Sequence, residues 1–205
     1  MLVLGAFLSD MNNLFITAAS TVSEADLPNA RLGQRFGRMD LTSQLALLAV
    51  EPLASRLESL PRERIAIVLA ARTSSLSTDA EYWKGRDAAG GPSPTLFTYT
   101  LPSAAIGEIA IRHHLTGPNL CFVGLSHDVL PEAADLIRRG EAEGCVCIYV
   151  SAISATLAGM ISMPTLARGC AAFLQCGEAG AHPWREIDRD MEALCANLRP
   201  KISTK

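Results

Sequence analysis

Alternating strand-length and helix-length apolar segments place this chain in the α/β class, as a mostly parallel five-stranded sheet with helices on both faces. Three observations carry that assignment. Ile65-Ala-Ile-Val-Leu-Ala-Ala71 is a continuous apolar run, the pattern of a strand buried on both sides. The segments 102–114 and 129–139 carry apolar residues at helical spacing. A short apolar run follows each of them, and strand–helix alternation implies parallel pairing.

Taken in order, Leu2 to Leu8 reads as the first strand. A polar stretch follows, with Arg31, Arg35 and Arg38 at i, i+4 and i+7. Leu41, Leu45, Leu48 and Ala49 form a helical stripe that ends near Pro52. The strand at Ile65–Ala71 comes next, and Gly90-Gly-Pro-Ser-Pro94 marks a loop. Pro102 to His114 reads as a helix with Ile106, Ile109 and Ala110 facing inward and Glu108 paired with Arg112 at i, i+4. His113 and His114 close it, where cations suit the helix dipole.

Gly117-Pro-Asn119 breaks that helix, and Leu120 to Val123 is the third strand. Val129 to Arg139 is a helix with Leu130, Ala133, Ala134 and Ile137 inward, Asp128 as N-cap and Gly140 as terminator. Cys145–Val150 and Cys170–Cys176 are the last two strands. The apolar stripe Trp184, Ile187, Met191, Leu194 and Leu198 predicts a final amphipathic helix. Residues 1–180 thus form one domain, and 181–205 an appended helix and tail.

Hydrophobic residues make up 49% of the chain and charged residues 19%, which excludes a disordered tail. The net charge of −3 and the lack of a concentrated basic run give no reason to expect nucleic acid. Leu2–Leu8 has no basic residues before it, and Asp10, Asn12 and Asn13 interrupt it, so it does not read as a signal peptide. Cys145 to Ala167 is uncharged and long enough to span a bilayer. Its Ser151, Ser154, Thr156, Ser162, Thr165 and Pro164 favour a buried strand followed by a small-residue connection. The six cysteines lie in predicted strands and helices, which points to reduced thiols and a cytoplasmic protein. Cys145 and Cys147 share one face of a strand, but no second pair follows at zinc spacing, so they read as core thiols and no metal is expected.

Several motifs, in order, resemble the N-terminal half of the β-ketoacyl synthases of the thiolase fold. Arg35-Phe-Gly-Arg-Met-Asp40 leading into Leu45-Ala-Leu-Leu-Ala49 resembles the family's first long helix and its basic lead-in. Ser93-Pro94, Leu101-Pro-Ser103 and Gly107-Glu-Ile-Ala-Ile-Arg112 resemble the loop and helix before the nucleophile. Leu115-Thr-Gly-Pro-Asn119 is the most specific match, and Glu132-Ala-Ala-Asp-Leu-Ile-Arg-Arg-Gly140 resembles the helix that carries the nucleophile at its start. The resemblance runs from about Arg35 to Cys176. It implies a half-thiolase layer of order βαβαβαββ.

The departures matter more. The family places a cysteine between the strand after Gly-Pro-Asn and the next helix, where backbone N–H groups and the helix dipole stabilise a thiolate. Here that junction reads Gly124-Leu-Ser-His-Asp128, without cysteine and slightly short. Asp128 sets a carboxylate where the thiolate would form. The two histidines that the family's second half supplies have no counterpart in the chain.

The resemblance therefore implies a non-catalytic subunit like the chain-length factors, which lack the nucleophile and pair with an active ketosynthase in fatty-acid or polyketide-type biosynthesis. Two alternatives stand beside it. One is a condensing enzyme with a relocated nucleophile, Cys121 or Ser126, with His127 as the adjacent base. Against this, Cys121 sits in an apolar strand, serine needs a positioned base, and adjacent side chains usually diverge. The other is an acyl-carrier-protein binding module in which Arg31, Arg35 and Arg38 meet acidic groups or a phosphate. A solvated basic face, paired locally with Glu24, Asp26 or Asp40, is the plainer reading of that row. The resemblance also places Leu120, Cys121, Phe122 and Val123 at a sheet edge that pairs across a homodimer or a ketosynthase heterodimer. No cofactor is implied.

Overall fold

The computed structural model describes residues 13–87, 89–162, 167–177, 182–185 and 190–197. The expected first strand, Leu2–Leu8, and Ile187 and Leu198 of the last helix lie outside them. The chain forms β1 (Leu14–Ser23), α1 (Leu41–Val50), α2 (Ala54–Leu57), β2 (Ile65–Ala71), α3 (Leu76–Lys84), α4 (Pro94–Thr98) and α5 (Ser103–His113). Then come β3 (Asn119–Phe122), α6 (Val129–Arg138), β4 (Gly144–Ala152), α7 (Ala155–Met160), β5 (Ala167–Cys176), β6 (His182–Pro183) and α8 (Met191–Asn197).

The described strands make one six-stranded sheet of order β3-β2-β4-β5-β1-β6. β2 pairs in parallel with β3 and β4, whereas β5 runs antiparallel to both β4 and β1. The sheet is therefore mixed, not mostly parallel as strand–helix alternation had predicted. The reason lies in α7. Its six residues rise about 9 Å, against about 30 Å for the nine residues of β4. So short a helix cannot carry the chain back along β4, and β5 returns antiparallel.

β1 occupies a stretch that reads as polar in sequence. Leu14 and Ile16 are buried in the core beneath α6 and α8, while Ala18 and Val22 pack against the core on the opposite face. An irregularity between Ile16 and Ala18 exchanges the two faces. A strand with a bulge loses the strict two-residue period by which strands are recognised.

β2 is buried along its whole length, as its unbroken apolar run demands. Ile65, Ile67, Leu69 and Ala71 face α1 and α5, whereas Ala66, Val68 and Ala70 face α6. Trp184 and the α8 residues Met191, Leu194 and Cys195 complete the second core, as do Cys145 and Cys147. Trp184 itself precedes the helix, which begins at Met191 rather than at Trp184 as its stripe suggested. The outward face of α6 carries the exposed residues Glu132 and Asp135.

Gly117 sets the entry to β3. A Cβ there would lie 2.2 Å from the Ile65 carbonyl oxygen, so only glycine lets the two segments approach. That approach brings the Ile67 N–H to the Pro118 carbonyl at 2.9 Å and starts the parallel ladder. No helix among the described residues is long and apolar enough to cross a membrane.

Candidate functional site

The first candidate is the junction between β3 and α6. Ser126 is buried, and its Oγ donates to Asp190 Oδ1 at 3.0 Å. Asp190 also accepts from the Glu192 and Ala193 N–H groups at the start of α8. The serine is thus tied to a carboxylate that caps another helix. His127 is half exposed, and its Nε2 lies 3.4 Å from Asp128 Oδ1. Asp128 occupies the expected N-cap position, yet its side chain accepts from the Leu125 N–H at 2.8 Å rather than from α6. It braces the turn before the helix and keeps a carboxylate at the junction.

Cys121 is half-buried in β3, and burial pushes its thiol up to about 11. Among the described residues burial is the one cause of this shift, so the thiolate needed for attack is scarce at neutral pH. No serine–histidine hydrogen bond links Ser126 to His127 among the described residues.

The second candidate surrounds Arg35. The three arginines do not share a helix face, because only Phe36–Arg38 forms a single 3-10 turn. Arg31 donates to the Pro28 and Ala30 carbonyls. Arg35 grips Glu108 bidentately, Nε to Oε2 at 2.7 Å and Nη2 to Oε1 at 3.0 Å. The expected local partners do other work. Asp26 accepts from Ser23, and Asp40 caps α1 through the Ser43 N–H while also accepting from Thr78. The expected Glu108–Arg112 pair is absent too: Arg112 bonds Glu51 instead.

Glu108 is 7% exposed and accepts a third hydrogen bond from the Tyr99 hydroxyl at 3.0 Å. Burial first, and then this bond, push the Tyr99 phenol up to about 12. Sequence reasoning missed both residues. The available signal was positional, since Glu108 falls among Ala105, Ile106 and Ile109 on the inward stripe of α5, and a charge there needs a partner. A cleft of about 690 Å³ opens over this group, lined by Gln34, Arg35, Arg38, Pro94, Thr95, Thr98, Tyr99 and Glu108.

The third candidate is the outer edge of β3. This strand ends the described sheet, with β2 as its one neighbour. Leu120, Cys121 and Phe122 are partly buried, while Val123 is 62% exposed just beyond them.

Comparison with solved structures defines the class: the chain has the thiolase-type α/β fold of ketosynthase and chain-length-factor proteins. One match is the ishigamide ketosynthase/chain length factor, at TM-score 0.68 and 20% identity over 83% of this chain and 64% of that one. Another is the ketosynthase ApeO in complex with its chain length factor ApeC from Xenorhabdus doucetiae, at TM-score 0.61 and 19% identity over 82% and 80%. A third is AntDE:AntF, a type II polyketide-synthase acyl-carrier protein in complex with its ketosynthase bound to the hexaketide, at TM-score 0.67 and 15% identity over 82% and 65%. The chain spans less than two thirds of the matched ishigamide and AntDE:AntF chains. At these identities the likeness is one of fold, and it bears out the fold resemblance read from the sequence motifs. No protein-family model matches the chain, and no curated protein does.

Proposed function

We propose that this chain is a non-catalytic, ketosynthase-like subunit of the chain-length-factor kind, acting in fatty-acid or polyketide-type assembly in the cytoplasm. The observation that carries the reading is the β3–α6 junction. It has the fold of the condensing enzymes but holds Ser126 bonded to Asp190, and a carboxylate, in place of a thiol. The matched proteins include a ketosynthase complexed with its chain length factor, which supports pairing of this chain with an active synthase or with itself. The edge Leu120, Cys121, Phe122 and Val123 is the proposed seam, and Arg31, Arg35 and Arg38 the proposed meeting place with an acyl carrier protein.

Two measurements test this reading. Incubation with acyl- and malonyl-carrier protein should leave the intact mass unchanged; a stoichiometric acyl adduct on Cys121 or Ser126 would establish a relocated nucleophile instead. Light scattering and co-purification should find a dimer or a ketosynthase complex. Phe122→Pro removes a backbone donor from β3 and should weaken it, whereas the surface change Lys84→Ala should not. A stable monomer at tens of micromolar (roughly where weak dimers form), with no synthase recovered, would overturn the pairing.

A further inference from the structure

His113 ends α5 with its side chain only 10% exposed, although a histidine in the last turn of a helix reads as a cation that suits the dipole. Its Nε2 lies 3.4 Å from Glu51 Oε1, yet this buried nitrogen makes no hydrogen bond among the described residues. Glu51 is already engaged. Both its oxygens accept from Arg112, Oε2 from Nη2 at 3.2 Å. The next residue, His114, is exposed and takes the left-handed conformation, φ 56°, that stops the helix.

Four groups from three elements therefore meet in one place. Glu51 opens the 3-10 turn Glu51–Leu53 after α1, Arg62 opens the turn Arg62–Arg64 before β2, and Arg112 and His113 close α5. With His113 neutral, one carboxylate faces two guanidinium groups. A proton on His113 sets a third cation beside that carboxylate, on a ring almost closed off from water. Burial lowers the ring's affinity for that proton most. Glu51 opposes burial, Arg112 and Arg62 add to it, and the imidazole titrates below its ordinary range.

The same place anchors the connection to β3. The Leu115 N–H donates to the Ala110 carbonyl at 3.0 Å, and the Thr116 N–H to the Arg62 carbonyl at 3.2 Å. Arg62 in turn donates from Nη1 to the Leu57 carbonyl at 2.7 Å.

We propose that His113 is an acid-released latch: its neutral ring holds the last turn of α5 against Glu51, and protonation frees that turn and the connector 114–118 that leads into β3. The latch goes beyond the subunit role proposed above, because its release involves this chain alone. In the released state the ring is hydrated and has the ordinary value near 6.5, so that state binds the proton more tightly than the closed one. The latch is therefore fully closed above about pH 6.5 and weakens as the pH falls below it. The released population rises by up to about tenfold between pH 7.5 and 5.5.

Hydrogen exchange of the full chain, read by mass spectrometry and corrected for the intrinsic effect of pH, follows the protection of the Leu115 and Thr116 N–H groups. That protection should fall about five- to tenfold from pH 7.5 to 5.5, while the β2 peptide 65–71 keeps its own. His113→Gln and His113→Phe, both neutral at either pH, should abolish the fall. His114→Asn, an exposed change to a residue that accepts the left-handed conformation, should leave it intact. Circular dichroism checks that the variants keep the fold, and the wild-type comparison stands without them. Wild-type protection that is unchanged at pH 5.5 overturns the inference, as does protection that rises because the imidazolium tightens its pair with Glu51. A fall that persists in a folded His113 variant, or that vanishes in His114→Asn, overturns it too.

Discussion

Replacing Gly117 by alanine tests the close approach that starts β3, and the structure fixes the size of the effect. The added Cβ would meet the Ile65 carbonyl oxygen at 2.2 Å, its carbon at 2.7 Å and the Glu63 carbonyl oxygen at 3.1 Å. All three are backbone atoms, so no side chain can swing away. Normal contact needs the segments to part by about 1 Å. Overpacking of this kind costs about 1–3 kcal/mol. Parting also endangers the Ile67 N–H to Pro118 bond, worth about 1 kcal/mol. The sum, about 2–4 kcal/mol, corresponds to a melting temperature lowered by roughly 4–16 °C in a chain of this length. Gly107 supplies a matched control of opposite sign. It lies within α5, a Cβ there meets nothing within 4 Å, and alanine should stabilise by about 0.5–1 kcal/mol. Thermal unfolding of the two variants is the assay. A Gly117→Ala melting temperature within about 2 °C of wild type, or a shift of the same sign in both variants, would refute the steric argument.

Three further outcomes are expected. Cys121, with its thiol near 11, should resist iodoacetamide at pH 8 and label only as the pH approaches that value, which peptide mass mapping can follow. Tyr99 has a folded pKa raised to about 12 above an ordinary value near 10. Its contribution to stability is therefore complete below about pH 10 and is lost as the pH rises towards 12, a loss that Tyr99→Phe should abolish in alkaline unfolding. Arg35→Glu should weaken carrier-protein association at low salt, as should added salt with the wild type; equal affinities for the two chains would leave the arginines as ordinary surface.

What could be read from the sequence was local. The span Ile65–Ala71 matched β2 because a continuous apolar run needs no knowledge of its neighbours. The missing cysteine was also legible, since the strand, junction and helix are consecutive. The bulged β1 was not, because its period changes midway. α3 escaped for a different reason: only Thr78 on it is fully buried, so it has no apolar stripe to detect. At the site, the arginines were visible but their chemistry was not. Arg35 meets Glu108 across 73 positions, and Ser126 meets Asp190 across 64. An i, i+4 rule proposes Arg112 for Glu108 only because it cannot see that far.

The place of β1 in the sheet bears on how the chain comes off the ribosome. β1 is the first described strand to be made, yet its two neighbours, β5 and β6, are the last. Between Ser23 and Ala167 the ribosome must add most of the chain, which at 5–20 residues per second takes about 7–30 s. Throughout that interval Leu14, Phe15 and Ile16 have neither of their described partner strands to pair with, although β2, β3 and β4 can already assemble. The nascent chain therefore carries β1 without its sheet partners for all of that interval, and chaperone binding and misassembly should concentrate there.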